Sequence, residues 1–336
     1  MVKPVINMLA SEVSHMPLHV VWRDSGVTQE HGFDLVVHVT NLHLDDQPFI
    51  TMRERAPLLL DGTYDFLSGL HHEPYRYRAR GDKRFVYVAQ AQNDWDDRIV
   101  AVEDIRTAKD LEGRRLIFTA AAPCVLGNLR HSLELGGADL GRIEFVHLAK
   151  KYDGRDSHAA VHAVAAGDAD AASVDVPFDR QGEKLGLHHL DVPSVPVIHN
   201  ATMCANDDWV RANEETTIGF LQSMIDAIHF FKTEKSKVCA ILESTLADLI
   251  GLEGPDEIEH LQETWAALLS PKPYPHPLAV WNVYNLDVAH DPTVNFIGPF
   301  EIWNTSYLRA IDDSGYVDEL YGGLEAARNP SVNVAI

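Results

Sequence analysis

Eighteen histidines lie along this 336-residue chain, and several stand just beyond apolar runs that read as strands. A side chain there, exchanging a proton near neutral pH, is placed for acid–base work. Ser14 and His15 follow the run ending Asn7–Ala10, His43 with Asp45 and Asp46 follows Phe33–Val39, and His71 with His72 follows Phe66–Leu70. His43, His15 and His71 are the acid–base candidates, with His43 foremost. Neighbouring residues of an extended chain face opposite ways, so one of His71 and His72 is expected to line the site, not both. Arg53 and Arg55 lie on a segment expected to be helical from Phe49 to Leu60, and a guanidinium there grips a carboxylate-like anion bidentately. Cys124, in AAPCVLGN, stands at an expected helix start where free amides favour anions and lower a thiol pKa; a small packed cysteine is the alternative. Ser14, Asp175, His199 and Asn200 end other strands or crossings, and Trp95 is the aromatic candidate for stacking on a ring.

No metal or cofactor is expected from these residues. His15 and His19 have the i, i+4 spacing of a helical metal pair, but Pro17 sits between them and no third ligand is fixed, so a divalent metal is only the lesser alternative. Cys124, Cys204 and Cys239 have neither redox nor zinc spacing. The chain has no phosphate-binding glycine loop and no dinucleotide fingerprint.

The elements that must position these residues alternate. KDLEGRRLIFTA (Lys109–Ala120) is a charged turn into a strand, APCVLGNLRHSLELGG (Ala122–Gly137) has helical periodicity, and IEFVHL (Ile143–Leu148) is a second strand. His158–Phe178 then gives an Ala-rich helix, a Gly-Asp stop and a third strand. Strand and helix in alternation predict a parallel sheet. The length suits two lobes, expected at 1–98 with 203–336 and at 99–202, joined by crossings near Ile99–Val102 and Val195–Cys204 that permit hinge closure. Asp207–Lys235 reads as one long helix with acidic early turns. Pro271–Trp281 has too many prolines to be helical.

A net charge of -22 without a Lys/Arg cluster argues against nucleic acid, which demands a basic surface. It leaves a small organic anion possible, because a site's potential is set locally. No run is long enough to span a membrane. The opening residues MVKPVINMLASEV lack a secretory signal, so a cytoplasmic protein is expected. A homodimer through the first lobe is compatible with the pattern.

The turns Asp110–Arg115 and Ala166–Ala171, with Asp61–Gly69 and Ser314–Gly322, resemble those of the class II periplasmic-binding-protein fold, and within it the solute-binding proteins for sulfonates, nitrate and thiamine pyrimidine precursors. The likeness covers most of the chain. It implies an α/β fold of two lobes, each a mainly parallel sheet flanked by helices, with the ligand in the cleft between them. His43–Gly62 is also similar to aromatic sulfinate desulfinases built on this fold, which implies sulfinate binding by His43 with Arg53 or Arg55. That family's nucleophilic cysteine has no counterpart in the first-strand loop, where Ser14 and His15 stand. Dihydroxyphthalate decarboxylases, which resemble the same fold, imply lyase chemistry. The cysteine-rich motif of the related pyrimidine synthases is missing. Two functions are therefore expected: a cytoplasmic decarboxylase-like lyase acting on a small, anionic, aromatic substrate, or the substrate-binding protein of an ABC importer for a small organic anion or heterocycle.

Overall fold

The computed structural model describes residues 3–322 apart from 96 and 121. The alternating pattern folds into two five-stranded sheets. The first holds β1 (Val5–Ala10), β2 (Asp34–Val39), β3 (Phe66–Ser68), β4 (Phe85–Gln90) and β10 (Thr202–Asn206), in the order β2-β1-β3-β10-β4. The second holds β5 (Arg98–Ala101), β6 (Arg115–Phe118), β7 (Glu144–His147), β8 (Ala171–Val174) and β9 (His188–Leu190), in the order β7-β6-β8-β5-β9. Four strands of each sheet point the same way, as the alternation predicts, and one, β10 in the first and β5 in the second, runs antiparallel to both its neighbours. Each sheet is therefore mixed. The reason is the connection between lobes: β5 and β10 are the strands that arrive from the other lobe, and each inserts fourth in its new sheet against the local direction.

The two crossings run side by side and bond to each other, through Ala91 N–H to Ala201 O (3.2 Å), Val197 N–H to Asn93 O (2.9 Å) and Trp95 N–H to Val195 O (3.0 Å). Short paired crossings of this kind suit hinge motion.

Helices cover both sheets. On the first, Trp22 of helix Met16–Asp24 packs on Phe220 of helix Glu214–Thr233 at 4.7 Å between centroids, and Phe220 stacks on Phe66 of β3 at 3.7 Å. The Trp22 indole N–H, which would otherwise be stranded in this core, donates to Ser223 Oγ at 3.0 Å. Among the described residues no helix is long and apolar enough to cross a membrane.

Three expected elements differ. The helix expected from Phe49 spans only Arg55–Leu60, because a longer one would place Pro57 in its interior, where the ring clashes with the carbonyl four residues back. The helix expected over Asp207–Lys235 divides at Asn213 into Asp207–Ala212 and Glu214–Thr233. The proline run is extended only as far as His276; Pro277 then opens a helix, Pro277–His290, at the position where its fixed φ and missing N–H cost nothing.

Since Phe66 joins β3 to helix Glu214–Thr233 through Phe220, Phe66→Ala is expected to destabilise the protein by about 3–5 kcal/mol, read as a fall in the denaturant midpoint. A change within error would mean that the stack does not support this lobe.

Candidate functional site

The carboxyl ends of β1, β3, β6 and β8 meet one crossing segment at a single cavity between the sheets, lined among others by Ser14, His15, Arg55, His71, His72, Cys124, Asp175 and His199. Ligands in open α/β sheets sit at strand ends for this reason. The space measures about 90 Å³, several times the ~10–15 Å³ that one water needs.

Three buried imidazoles form one wall. His15, His71 and His199 stand in a triangle with 6.1 Å between each pair of ring centroids. His15 is held by the turn Val13–His15 that leads into helix Met16–Asp24, and its ring lies against the backbone of Gly69. A Cβ on Gly69 would sit 2.0 Å from His15 Cε1, and Gly69 has φ +83°, so glycine is required there both for space and for backbone conformation. His71 bonds Thr202 Oγ1 at 3.1 Å through Nε2. His15 Nδ1 is buried without a hydrogen-bond partner among the described residues. Burial, then the neighbouring histidines and Arg55, hold His15 and His71 well below the ordinary imidazole range, so both are neutral at pH 7.

Two cations face these rings, each engaged by carboxylates. Arg55 donates from Nε and Nη2 to Glu73 Oε1 at 3.1 and 2.7 Å. Lys150 lies 3.2 Å from Asp156 and 3.8 Å from Glu12. Burial raises the Glu12 pKa against the pull of Lys150 and Arg55.

A second constellation adjoins this wall, with the His71 and His72 ring centroids 6.3 Å apart. His72 directs Nδ1 toward Asp287 Oδ2 at 3.4 Å, while its Nε2 accepts from the Cys124 backbone N–H at 3.1 Å. The 3.4 Å approach is an ion-pair contact, since neither His72 Nδ1 nor Asp287 Oδ2 has a hydrogen-bond partner among the described residues. Asp287, fully buried, also accepts from Arg76 Nε and Nη2 at 3.0 and 2.9 Å. Burial opposes a charge on His72, but the Cys124 thiol and Asp287 outweigh it and push its pKa up to about 10. Burial likewise opposes a thiolate at Cys124, and His72, His199 and Arg55 overcome it, drawing that thiol below its ordinary value. Cys204, equally buried, has its thiol pushed far up instead. Gly127 makes the arrangement sterically possible: a Cβ there would lie 2.7 Å from Leu286, so its absence lets helix Pro123–Leu135 approach the helix bearing Asp287.

Of the residues singled out from sequence, Ser14, His15, Arg55, His71, Cys124, Asp175 and His199 line the cavity, and four others do not. His43 is exposed and stacks on Phe49 at 4.2 Å, because the loop after β2 turns outward. Arg53 is exposed, preceding a helix that starts later than expected. Trp95 is buried beside the crossings, and buried Asn200 gives its carbonyl to Gln90 Nε2 at 3.3 Å. His71 and His72 both line the cavity, against the expectation for an extended chain, since β3 ends at Ser68 and His72 is already in the helical region at φ −110°, ψ −41°. Sequence reading missed Glu12, Glu73, Lys150 and Asp287 as site groups. Asp287 had no signal, lying on a helix hidden behind a proline run.

His19 belongs to the core, bonded to Ser68 Oγ at 2.8 Å, and burial lowers its pKa to about 3. Among the described residues, the group able to hold a metal ion is His158, His162 and Glu253, whose ligand atoms lie within 4.8 Å of one another; it is separate from the cavity-lining residues.

Two mixed sheets flanked by helices, joined by paired crossings around one enclosed cavity, define a periplasmic-binding-protein-like protein of two lobes. The chain belongs to the NMT1/THI5 like family, whose model matches residues 54–234. Its fold is similar to the periplasmic aliphatic sulphonate binding protein SsuA from Escherichia coli, at TM-score 0.62 and 16% identity over 87% of this chain and 93% of that one. It is similar also to the alkanesulfonate-binding protein SsuA from Xanthomonas axonopodis pv. citri bound to MOPS, at TM-score 0.58 and 14% identity over 90% and 98%. The desulfurization enzyme DSZB shares the fold at TM-score 0.60 and 13% identity over 92% and 99%. No curated protein sequence matches. The cytoplasmic expectation is overturned by these comparisons, in which periplasmic sulfonate-binding proteins recur; it had rested on the opening residues alone.

Gly69→Ala is expected to displace the His15 ring and to cost about 1–3 kcal/mol of stability, measured by denaturant titration. Unchanged stability would show that the ring and loop yield freely.

Proposed function

We propose that this protein is a substrate-binding protein that closes its two lobes over a small organic anion. The observation that carries this reading is the buried triangle of His15, His71 and His199, with an unpartnered His15 Nδ1 beside the Arg55 charge in an enclosed inter-lobe cavity. A buried polar atom without a partner favours a ligand that supplies one. Neutral imidazoles donate N–H bonds to an anion's oxygens, and Arg55 adds charge in a site shielded from water. The family and the sulfonate-binding relatives support the binding reading over the decarboxylase-like one.

The sign of the pH dependence follows from the histidines. In the empty cleft, His15 and His71 sit below their ordinary range and are neutral. A bound anion favours their charged forms, so binding takes up protons. Affinity for an alkanesulfonate, measured by titration calorimetry, is expected to rise as pH falls below the ordinary imidazole value of about 6.5, and Arg55→Gln is expected to weaken it by roughly 2–5 kcal/mol. Absence of binding by every short sulfonate and carboxylate, or tighter binding at high pH, would overturn the reading.

A further inference from the structure

We propose that a divalent cation of the zinc class binds at the seam between the two lobes, on His158, His162 and Glu253. His158 and His162 stand one turn apart on helix Asp156–Ala165, so their i, i+4 spacing puts both rings on one face. The ring centroids are 4.3 Å apart, with planes at 53°. Glu253 comes from the loop between helices Asp248–Ile250 and Pro255–Leu268 and brings Oε1 to 3.9 Å from His162 Nε2. One ligand atom from each of the three lies within 4.8 Å of the other two. Two imidazole nitrogens and one carboxylate oxygen, with a water in the remaining position, are a donor set that zinc takes in tetrahedral geometry. Bonds of about 2.0–2.2 Å require the three atoms to draw closer. His162 and Glu253 do so by side-chain rotation, being 44% and 53% exposed.

The surroundings prepare His158 for an ion. Its Nδ1 lies 3.0 Å from Gln181 Oε1, and the Gln181 amide nitrogen is committed as a donor to Gly251 O at 2.7 Å and to Glu257 Oε2 at 3.2 Å. Gln181 therefore offers His158 an acceptor, the imidazole proton sits on Nδ1, and the Nε2 lone pair is left for the metal. A polar group fixing the other ring nitrogen is the usual companion of a metal-bound histidine. Gly251, at φ +86°, lets the loop leading to Glu253 run against this ring, since a Cβ there would meet His158 Cγ at 3.3 Å. A loose surface ion pair between His162 and Glu253 would need neither His158 nor Gln181.

The three ligands come from both lobes. Helix Asp156–Ala165 joins β7 to β8 of the second sheet, whereas helix Pro255–Leu268 is fastened to helix Glu214–Thr233, over the first sheet, by Gln262 Nε2 donating to Phe231 O at 2.9 Å. The same seam is crossed by Lys184 to Glu257 at 2.7 Å and by His260 to Asp179 at 3.0 Å. An ion held by His158, His162 and Glu253 adds a further link between the lobes and favours the arrangement in which they meet.

The test takes the full chain, stripped with EDTA and dialysed, and adds zinc chloride alone. Competition against a chromogenic chelator is expected to show one tight site per chain, weakened about 10–100-fold in His162→Ala and in Glu253→Ala. Both side chains are exposed, so these variants are expected to melt like the wild type without metal. Zinc is expected to raise the wild-type melting temperature by mass action and to leave that of either variant nearly unchanged. Magnesium, which prefers oxygen ligands, is expected to do neither. With eighteen histidines in the chain, zinc held elsewhere is the rival outcome: absence of a tight site, or equal affinity in the wild type and both variants, would overturn the proposal. Affinity lost in His162→Ala but kept in Glu253→Ala would place the ion on one lobe and overturn the link. None of the three ligands lines the anion cavity, so the zinc titration and the sulfonate titration fail independently.

Discussion

A wholly buried carboxylate, Asp287, is the constraint on which the site depends. Such a charge is tolerated inside a protein only when paired, and removing a partner from a buried pair costs about 3–5 kcal/mol. Arg76 supplies two bonds to one oxygen and His72 faces the other. Satisfying Asp287 therefore ties helix Pro277–His290 to the segment after β3. That segment then holds His71 and His72 in a fixed relation to the first-lobe sheet, and His72 in turn meets the first turn of a second-lobe helix. Gly127 completes the arrangement by letting that helix come close.

The side of the cleft around the three imidazoles follows a different logic. Its cations are engaged internally, Arg55 by Glu73 and Lys150 by Asp156 and Glu12, so the empty site carries no large uncompensated charge. Polar capacity resides instead in the buried imidazoles, of which His15 and His71 remain uncharged because burial and mutual repulsion both penalise protonation. A ligand bringing negative charge reverses that penalty. The cleft is thus electrostatically quiet by itself and responsive to a negative charge.

Much of this was legible in the chain. Period-two and period-3.6 patterns located most strands and the helices of the second lobe, and the strand-end rule brought His15, His71, Cys124, Asp175 and His199 into view, because the chain's direction through a parallel sheet decides which end of each strand carries the site. His43 misled because a strand end says nothing about which way the following loop turns. Arg55 and Arg53 could not be told apart until Pro57 had set the start of the helix. Both His71 and His72 reach the cavity because the strand stops early, at Ser68, a detail of backbone dihedrals that composition does not reveal.

What the sequence by itself determined is local in origin: two α/β lobes, their crossings, the acidic surface and a histidine-rich set of strand ends, all set by periodicity, turn residues and charge within short windows. What only the tertiary structure decided is long-range. The Asp287–His72–Cys124 line joins residues far apart in the chain, and its members acquire their protonation behaviour from one another and from burial. A thiol at one helix start and a carboxylate on an unforeseen helix carry no mark of each other in the sequence; their coupling exists only because close packing excludes water and brings charge to charge.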